Sequence, residues 1–510
     1  MDRRPPNAGA GMCSKLGRSK HARRPIGKNA AQSYPEAHLA VSAQRLEHDL
    51  LGERAVPATA YYGVHTLRAL ENFPISGTPI SIYPDLVNAL ACVKEAAALV
   101  NNQLKLLDAA RTDAIIKACR EIRAGQLLDQ FVVDVIQGGA GTSTNMNMNE
   151  VVANRGLEHL GHARGEYRYL HPLEHVNLSQ STNDVYPTAV RVALQFAIRR
   201  LLASMAELRA AFERKSAEFA DLLKMGRTQL QDAVPMTSGQ EFSAYAVMLG
   251  EDEERLREAA LLIREINLGA TAIGTGLNAP PGYPAAACAQ LAAITGIELV
   301  VSANLIEATQ DAGAFVQLSG VLKRIAIKLS KTCNDLRLLS SGPRAGLGEI
   351  NLPPVQAGSS IMPGKVNPVI AEVVNEVAFE VIGNDVTVSF AAEAGQLQLN
   401  AFEPIIAHSL FKSLNHLSQA CTVLARRCVS GITANAARMR NDVEYSIGIV
   451  TALNPWIGYE NATALAQEAL ATGKRVYELV LEKQLLTKTQ LDTILRPETL
   501  TRPKPVPTRE

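Results

Sequence analysis

Proline is absent from long stretches of this chain, and no other feature of the sequence restricts its fold as strongly. The stretches 188–234, 236–279, 285–342, 369–403 and 405–454 contain none. Because proline breaks a helix interior, these are the segments in which long helices fit. Within the first, Ala197, Leu201, Met205, Leu208, Phe212, Phe219 and Leu223 recur at intervals of three, four and seven residues, one face of a helix. The pattern predicts long helices near 188–223, 239–266, 308–340, 369–394 and 405–432. Helices this long without internal caps imply an extended bundle, so the fold class is mainly α. Two further helices are predicted between Pro84 and Gly125, with Leu86, Leu90, Val93, Ala97 and Val100 on one face. The segment from Arg45 to Asn72 has mixed periodicity and reads as short pieces. The domains expected are 45–183 (N-terminal, mostly helical), 184–434 (central bundle) and 435–510 (small, C-terminal), after a basic extension over 1–44.

A composition of 47% hydrophobic and 20% charged residues is that of an ordinary soluble protein, and a net charge of +1 argues against a nucleic-acid or membrane partner. The charge is uneven: residues 1–44 hold eight Lys or Arg against Asp2 and Glu36, a net of +6. This tail lacks the apolar core of a secretory signal. It is Arg-rich and acid-poor like an organellar transit peptide, its Pro and Gly content fits a disordered extension equally well, and Met12 offers an alternative start. Seven scattered cysteines without a C-x-x-C pair point to reduced thiols in a cytoplasmic setting. No apolar run reaches the roughly eighteen residues of a membrane span.

Between the predicted helices lie four polar turns. Gly138 to Glu150 (GGAGTSTNMNMNE) feeds hydroxyls and amides into a helical stretch. Ser179 to Asp184 (SQSTND) does the same ahead of Pro187. Both sets suit helix capping, and a helix N-terminus with free N–H groups is also an anion site. Gly226 to Ala233 (GRTQLQDA) reads as a polar turn at a helix end. Gly358 to Pro368 (GSSIMPGKVNP) contains two glycines and two prolines and must be a shaped loop, carrying two hydroxyls, an ammonium and an amide but no carboxylate. Such a loop is either a solvated connector or a means of holding negative charge that develops in a reaction. The glycine-rich LGATAIGTG (268–276) has no phosphate-binding spacing. His171 and His175 fit H-x-x-E-H, but Pro172 argues against the helix that would aim both rings at one metal, and His159 and His162 are only three apart.

Taken together, GGAGTSTNMNMNE, HVNLSQSTND, GRTQLQDAVP and GSSIMPGKVNP resemble, in this order, the signature segments of the aspartase/fumarase superfamily, and the likeness runs from about Arg45 to the C-terminal region. The resemblance implies a three-domain helical fold whose central bundle forms the core of a homotetramer, with each active site drawn from three subunits. Within the superfamily the residues side with aspartases, which convert L-aspartate reversibly to fumarate and ammonia. Gln229 stands where fumarases carry a histidine, Thr182 makes Ser-Thr-Asn where they usually have Ser-Ser-Asn, and INLP…AGSSIM with AAEAGQLQLN matches aspartases. Ala371 departs from the proline many aspartases have there, a difference in helix start only. A carbon–nitrogen lyase is thus implied, with Ser359 as the base that takes the Cβ proton and an aci-carboxylate intermediate held by loop N–H groups and Lys365. Thr142, Ser181, Thr182, Asn183, Thr228, Ser360, Lys365 and Asn367 are the implied substrate-binding residues. No redox or carbonyl cofactor is required, and Mg²⁺ is an activator in some relatives. Two alternatives share the fold: a class II fumarase acting on malate, and a scaffold that has lost activity. Gln229 weighs against the first, and intact Ser359, Lys365 and Asn367 weigh against the second.

Overall fold

A computed structural model describes residues 43–503, so the basic extension lies outside the described residues except at its last two positions. The chain enters through an antiparallel hairpin of β1 (Gln44–Asp49) and β2 (Gly52–Pro57), with Gln44 opposite Pro57, and continues into α1 (Val64–Asn72). These are the short pieces expected there. The next helices are α2 (Pro84–Gln103), α3 (Ala109–Arg123) and α4 (Thr142–His159). Proline opens α2, where its missing N–H has no partner to lose. Asp108 caps α3 by accepting the Arg111 N–H. Leu86, Leu90, Val93, Ala97 and Val100 are buried, as their spacing requires.

The centre of the molecule is a closed ring of helices, α5 (Thr182–Glu218), α6 (Ser238–Leu262), α9 (Gly313–Leu339), α10 (Val369–Glu393) and α11 (Glu403–Arg427), in which α5 packs on α6, α6 on α9, α9 on α10, α10 on α11 and α11 on α5. Each starts and stops within six residues of its predicted bounds. At 37 residues α5 spans about 55 Å. Pro187 lies within its second turn and removes the N–H that would bond the Asn183 carbonyl; the Asn267 side chain donates to that carbonyl instead, at 3.0 Å. Ala371 is buried within α10, which begins at Val369 without a proline in its first turn. Between α6 and α9 run a parallel pair of two-residue strands, β5 (Glu265–Ile266) and β6 (Val300–Val301), with α7 (Tyr283–Thr295) between them and α8 (Leu305–Ala308) after them.

One local expectation fails between α5 and α6. Residues 226–233 are not a simple turn at a helix end but part of a hairpin of β3 (Leu223–Thr228) and β4 (Gln231–Thr237). Gly226 sits where the register slips, and a Cβ there would lie 2.8 Å from the Val234 carbonyl oxygen, so the glycine serves strand pairing rather than a helix end. The hairpin is anchored by a buried ion cluster in which Lys224 meets Glu241 and Glu349, each at 2.7 Å, and Arg227 meets Glu349. Glu349 in turn leads into β7 (Ile350–Asn351), which pairs with β8 (Thr433–Ala434).

The C-terminal part consists of short helices, α12 (Ala436–Tyr445), α13 (Val450–Ile457), α14 (Tyr459–Thr472), α15 (Val476–Glu482), α16 (Lys488–Ile494) and α17 (Pro497–Leu500). They share a second apolar core that includes Val443, Leu453, Leu465, Leu479 and Leu491, with Met225 of the hairpin.

Two stability measurements test this packing. At Gly239, an added Cβ would lie 2.6 Å from both the Ala220 Cα and the Ser216 carbonyl oxygen. Gly239→Ala is expected to destabilise by about 1–3 kcal/mol, read as a lower unfolding temperature, because backbone cannot move aside as a side-chain tip can. Glu349→Gln removes the buried carboxylate shared by Lys224, 2% exposed, and Arg227, leaving Lys224 with Glu241 alone. It is expected to destabilise by about 3–5 kcal/mol, with proteolysis of the 223–237 hairpin as a local readout.

Candidate active site

The residues singled out in the sequence fall into three groups. The first is at the N-termini of α4 and α5. Gly141 precedes α4 with φ of 87°, and a Cβ there would lie 2.4 Å from the Tyr186 ring of α5, so the start of α4 presses directly on α5. Thr142, the first residue of α4, is exposed and its hydroxyl donates to the Gly139 carbonyl at 2.7 Å. From Thr144 to Glu150 the motif is buried scaffold. Asn147 accepts from the Val132 N–H and donates to the Gln130 carbonyl. Glu150 accepts from the N–H groups of Gly63, His65 and Thr66, which start α1, and from the Thr66 hydroxyl.

α5 begins with a capping box: the Ser181 hydroxyl oxygen accepts from backbone N–H groups while the Ser181 N–H donates to Asp184 at 3.0 Å. Asp184 is wholly buried and also accepts from the Gly269 and Thr271 N–H groups, at 3.0 and 2.9 Å. Burial raises its carboxyl to about 6 against the pull of those donors. The Thr182 hydroxyl oxygen accepts from Asn145 Nδ2 at 3.0 Å, and Asn183 Nδ2 donates to the Ala272 carbonyl at 2.7 Å. Ser181, Thr182 and Asn183 are all half-buried. Because the Ser181 and Thr182 oxygens act as acceptors inward, their O–H protons are left to donate outward to an anion.

The second group is the tip of the β3–β4 hairpin. Gln229 and Leu230 have φ of 55° and 63°, the two left-handed positions of a two-residue hairpin turn flanked by paired Thr228 and Gln231. Thr228, Gln229 and Leu230 are exposed, so the tip stands out from the body of the chain.

The third is the 358–368 loop. Its neck is closed by the Gly358 N–H donating to the Lys365 carbonyl at 2.9 Å and by Asn367 Nδ2 donating to the Gly358 carbonyl at 2.8 Å. Gly358 is required there, since a Cβ would lie 2.6 Å from the Lys365 carbonyl oxygen. Within the loop the Ser359 hydroxyl oxygen accepts two backbone N–H groups, from Ile361 at 3.2 Å and Met362 at 2.9 Å. Two donors aimed at one hydroxyl oxygen stabilise its deprotonated form, the requirement for a serine that accepts a proton. Ser360 and Lys365 are exposed, and Asn367 is half-buried with one amide proton committed to the neck.

The structure therefore joins Thr142, Ser181, Thr182 and Asn183 through the Asn145–Thr182 hydrogen bond, and joins Ser359, Ser360, Lys365 and Asn367 through the loop neck. Thr228 stands apart from both. Among the described residues no hydrogen bond or ion pair links one group directly to another. A buried polar residue not singled out in the sequence is Lys94, which lies wholly buried beneath the first group and donates to Asn177 and Gln180. Its signal was a lone lysine within the apolar stretch ALACVKEAAALV.

The histidine pairs have other duties. Contrary to expectation, Pro172 opens a short helical turn, Pro172–Val176, because the first helical position tolerates proline. His171 Nδ1 accepts from the Leu173 and Glu174 N–H groups and His175 Nδ1 from the His171 N–H, so both rings cap backbone. His159 pairs with Glu121, and His162 stacks on Tyr169. Among the described residues no group of three or more His, Cys, Asp or Glu side chains is placed to hold a metal ion. No helix among them is long and apolar enough to cross a membrane, and Cys92, Cys119, Cys288, Cys333, Cys421 and Cys428 are buried and unbridged.

Comparison with known proteins fits this arrangement. A family model described as Lyase matches residues 52–383, and one described as Fumarase C C-terminus matches residues 449–502. The chain is 60% identical to an aspartate ammonia-lyase of Pseudomonas aeruginosa over 92% of its own length and 99% of that protein. It is 56% identical to an aspartate ammonia-lyase of Escherichia coli K12, over 90% and 96% respectively. Among solved structures, a fumarate lyase:delta crystallin from Brucella melitensis, bound to cobalt, superposes with a TM-score of 0.89 at 56% identity, covering 90% of this chain and 100% of that one. A class II fumarase from Schistosoma mansoni superposes with a TM-score of 0.85 at 36% identity, covering 89% and 98%. With both family models and relatives matched over nine-tenths of its length, the chain belongs to the lyase family of the aspartase/fumarase superfamily.

Proposed function

We infer that this chain eliminates ammonia reversibly from L-aspartate to give fumarate, with Ser359 as the base. The observation that carries the chemistry is the pair of N–H groups converging on the Ser359 oxygen in an exposed loop that also presents Lys365. The substrate reading is supported by identity of 56–60% to aspartate ammonia-lyases over about nine-tenths of the chain, and by Gln229 at the hairpin tip. A glutamine there lacks the ring base with which fumarases handle water, in keeping with a reaction that neither adds nor removes it.

The Cβ–H of aspartate is a very weak acid, so its removal requires stabilising the doubly charged aci-carboxylate that results. Ser359 takes the proton, and electrons flow into the neighbouring carboxylate. That carboxylate is held by loop N–H groups and Lys365. As the intermediate collapses, its electron pair forms the Cα–Cβ double bond, the carboxylate is restored, and the Cα–N bond breaks to release ammonia. Thr142, Ser181, Thr182, Asn183, Thr228, Ser360 and Asn367 bind the carboxylates and the amino group. The helix N-termini behind Thr142 and Ser181 add positive potential. The substrate's own carboxylate is the electron sink, so no redox or carbonyl cofactor is required; Mg²⁺, an activator of some relatives, is a variable of the assay below.

The complete site is proposed to form in a homotetramer, one group of residues coming from each of three subunits. Two observations support this: among the described residues no hydrogen bond or ion pair links the three groups, and α10, packed on α9 and α11, leaves Phe379 and Phe390 of another face exposed at 62% and 70%.

Ultraviolet detection of fumarate from L-aspartate and from L-malate, with and without Mg²⁺, tests the substrate. Fumarate from aspartate alone is expected; fumarate from malate alone would make the chain a fumarase, and release from neither would leave a scaffold. Ser359→Ala is expected to lower kcat by about 10²–10⁴. Lys365→Ala is expected to lower kcat by about 10²–10³, the scale of losing one donor to a developing anion. A Ser359→Ala enzyme with wild-type turnover would remove Ser359 from the role of base.

A further inference from the structure

Beneath the N-terminus of α5 lies a buried polar cluster. Lys94 of α2 is 0% exposed, and its ammonium donates to Asn177 Oδ1 at 3.0 Å and to Gln180 Oε1 at 2.9 Å. Asn177 Oδ1 accepts two further donors, Asn145 Nδ2 and Asn149 Nδ2, each at 3.2 Å. The same Asn145 Nδ2 donates to the Thr182 hydroxyl oxygen at 3.0 Å. The turn that precedes Ser181 is closed on itself as well, with Asn177 Nδ2 donating to the Gln180 carbonyl and Gln180 Nε2 to the Val176 and Leu178 carbonyls. One ammonium thus holds both amide oxygens of a turn whose next two residues are the hydroxyls of the proposed anion site.

We propose that Lys94 is a positioning residue for substrate binding, acting through Asn177 and Asn145 to fix the direction of the Thr182 hydroxyl. The inference rests on the reading of Thr182 as a substrate-binding residue. An ammonium buried at this depth is costly unless it does something an apolar side chain could not. The other polar side chains that α2 buries are likewise held, Glu95 by Arg120 and Arg123 and Asn101 by Ser179 and the Leu178 carbonyl. With Asn145 Nδ2 donating to the Thr182 oxygen, the hydroxyl proton is aimed away from the protein interior. Without the ammonium, Gln180 Oε1 loses this donor and Asn177 Oδ1 keeps only its two amide donors. The amides are then free to re-pair, and Thr182 loses its fixed orientation. Asp184, the nearest carboxylate of α5, and the Cys119 thiol of α3 are the titratable groups that act on Lys94 through space. Neither is among its hydrogen-bond partners, so the amides alone hold the ammonium.

The test is a double-mutant cycle of Lys94→Met and Thr182→Val in the full-length chain, with KM and kcat for L-aspartate measured for all four forms. Lys94→Met alone is expected to raise KM about tenfold with kcat changed much less, the signature of lost ground-state binding. In the Thr182→Val background the same step is expected to change KM less than about twofold, because the lysine has nothing left to orient. Equal factors in both backgrounds, or an unfolding temperature that falls while KM stays constant, would make Lys94 a structural residue and overturn the inference. If Lys94→Met is not recovered as folded protein, Asn177→Ala takes its place in the cycle under the same criteria. Wild-type protein that releases no fumarate from aspartate, or a Thr182→Val form with unchanged KM, overturns the functional reading and this inference with it. Turnover with independent factors overturns this inference alone.

Discussion

The carboxylate of Asp184 decides where the longest helix of the molecule begins. It is wholly buried, and backbone N–H groups from Ser181, Gly269 and Thr271 converge on it, tying the start of α5 to the connector that follows α6. A carboxylate in such a place is tolerated only while its donors stay in position, so the interaction is close to all-or-none. Ser181, Thr182 and Asn183 are the cap and first residues of that helix, and their placement follows from the same contacts. So does the repair of the Pro187 gap, since the Asn267 that bonds the Asn183 carbonyl belongs to the connector Asp184 holds. The helical ring supplies rigidity, and this one buried carboxylate sets the position of the site upon it.

Around it the division between scaffold and surface is sharp. In the motif after Gly138, Asn147 and Glu150 point inward to backbone groups of other segments and Asn145 and Asn149 to Asn177, while within α4 only Thr142 of the motif is exposed. The hairpin repeats the scheme with charge: Glu349 holds Lys224 near its base and Arg227 short of the turn, while Thr228 and Gln229 are at its free tip. The 358–368 loop repeats it with backbone, its neck closed by Gly358 and Asn367 and its hydroxyls outward of the neck. Each segment is long because most of it is spent on being held.

This explains what was legible in the sequence. The bundle was, because helices of 25 to 37 residues leave a periodic stripe and forbid proline, and their predicted bounds fall close to the observed ones. The four polar segments were legible because they interrupt the helical pattern, and they lie at two helix starts, a hairpin tip and a closed loop. The β3–β4 hairpin was not: GRTQLQDA follows a long helix and contains a glycine, the local signature of a helix end, while its pairing partner and its anchor Glu349 are set by tertiary contacts. Pro172 misled in the opposite direction, since proline forbids a helix interior but suits a first position, and its place in the turn depends on His171 as cap. Lys94 escaped because a single lysine in an apolar helix has the same pattern whether it reaches the surface or ends beneath a turn of amides.

The chemistry of the donors bears on the reversibility of the proposed reaction. Aspartate and fumarate both carry two carboxylates, and an array of cations would bind each of them, and the intermediate, with similar strength. Binding of that kind tightens substrate and product without lowering the barrier between them. The proposed binding residues are instead hydroxyls, amides and helix N-termini, with Lys365 the one cation among them, carried on the same loop as Ser359. Neutral donors at fixed angles respond to the position of an oxygen more than to its total charge. The cation, in turn, sits beside the group that creates the extra charge. A lysine fixed elsewhere in the array would pull on every bound state alike; on this loop, its field stays beside the base.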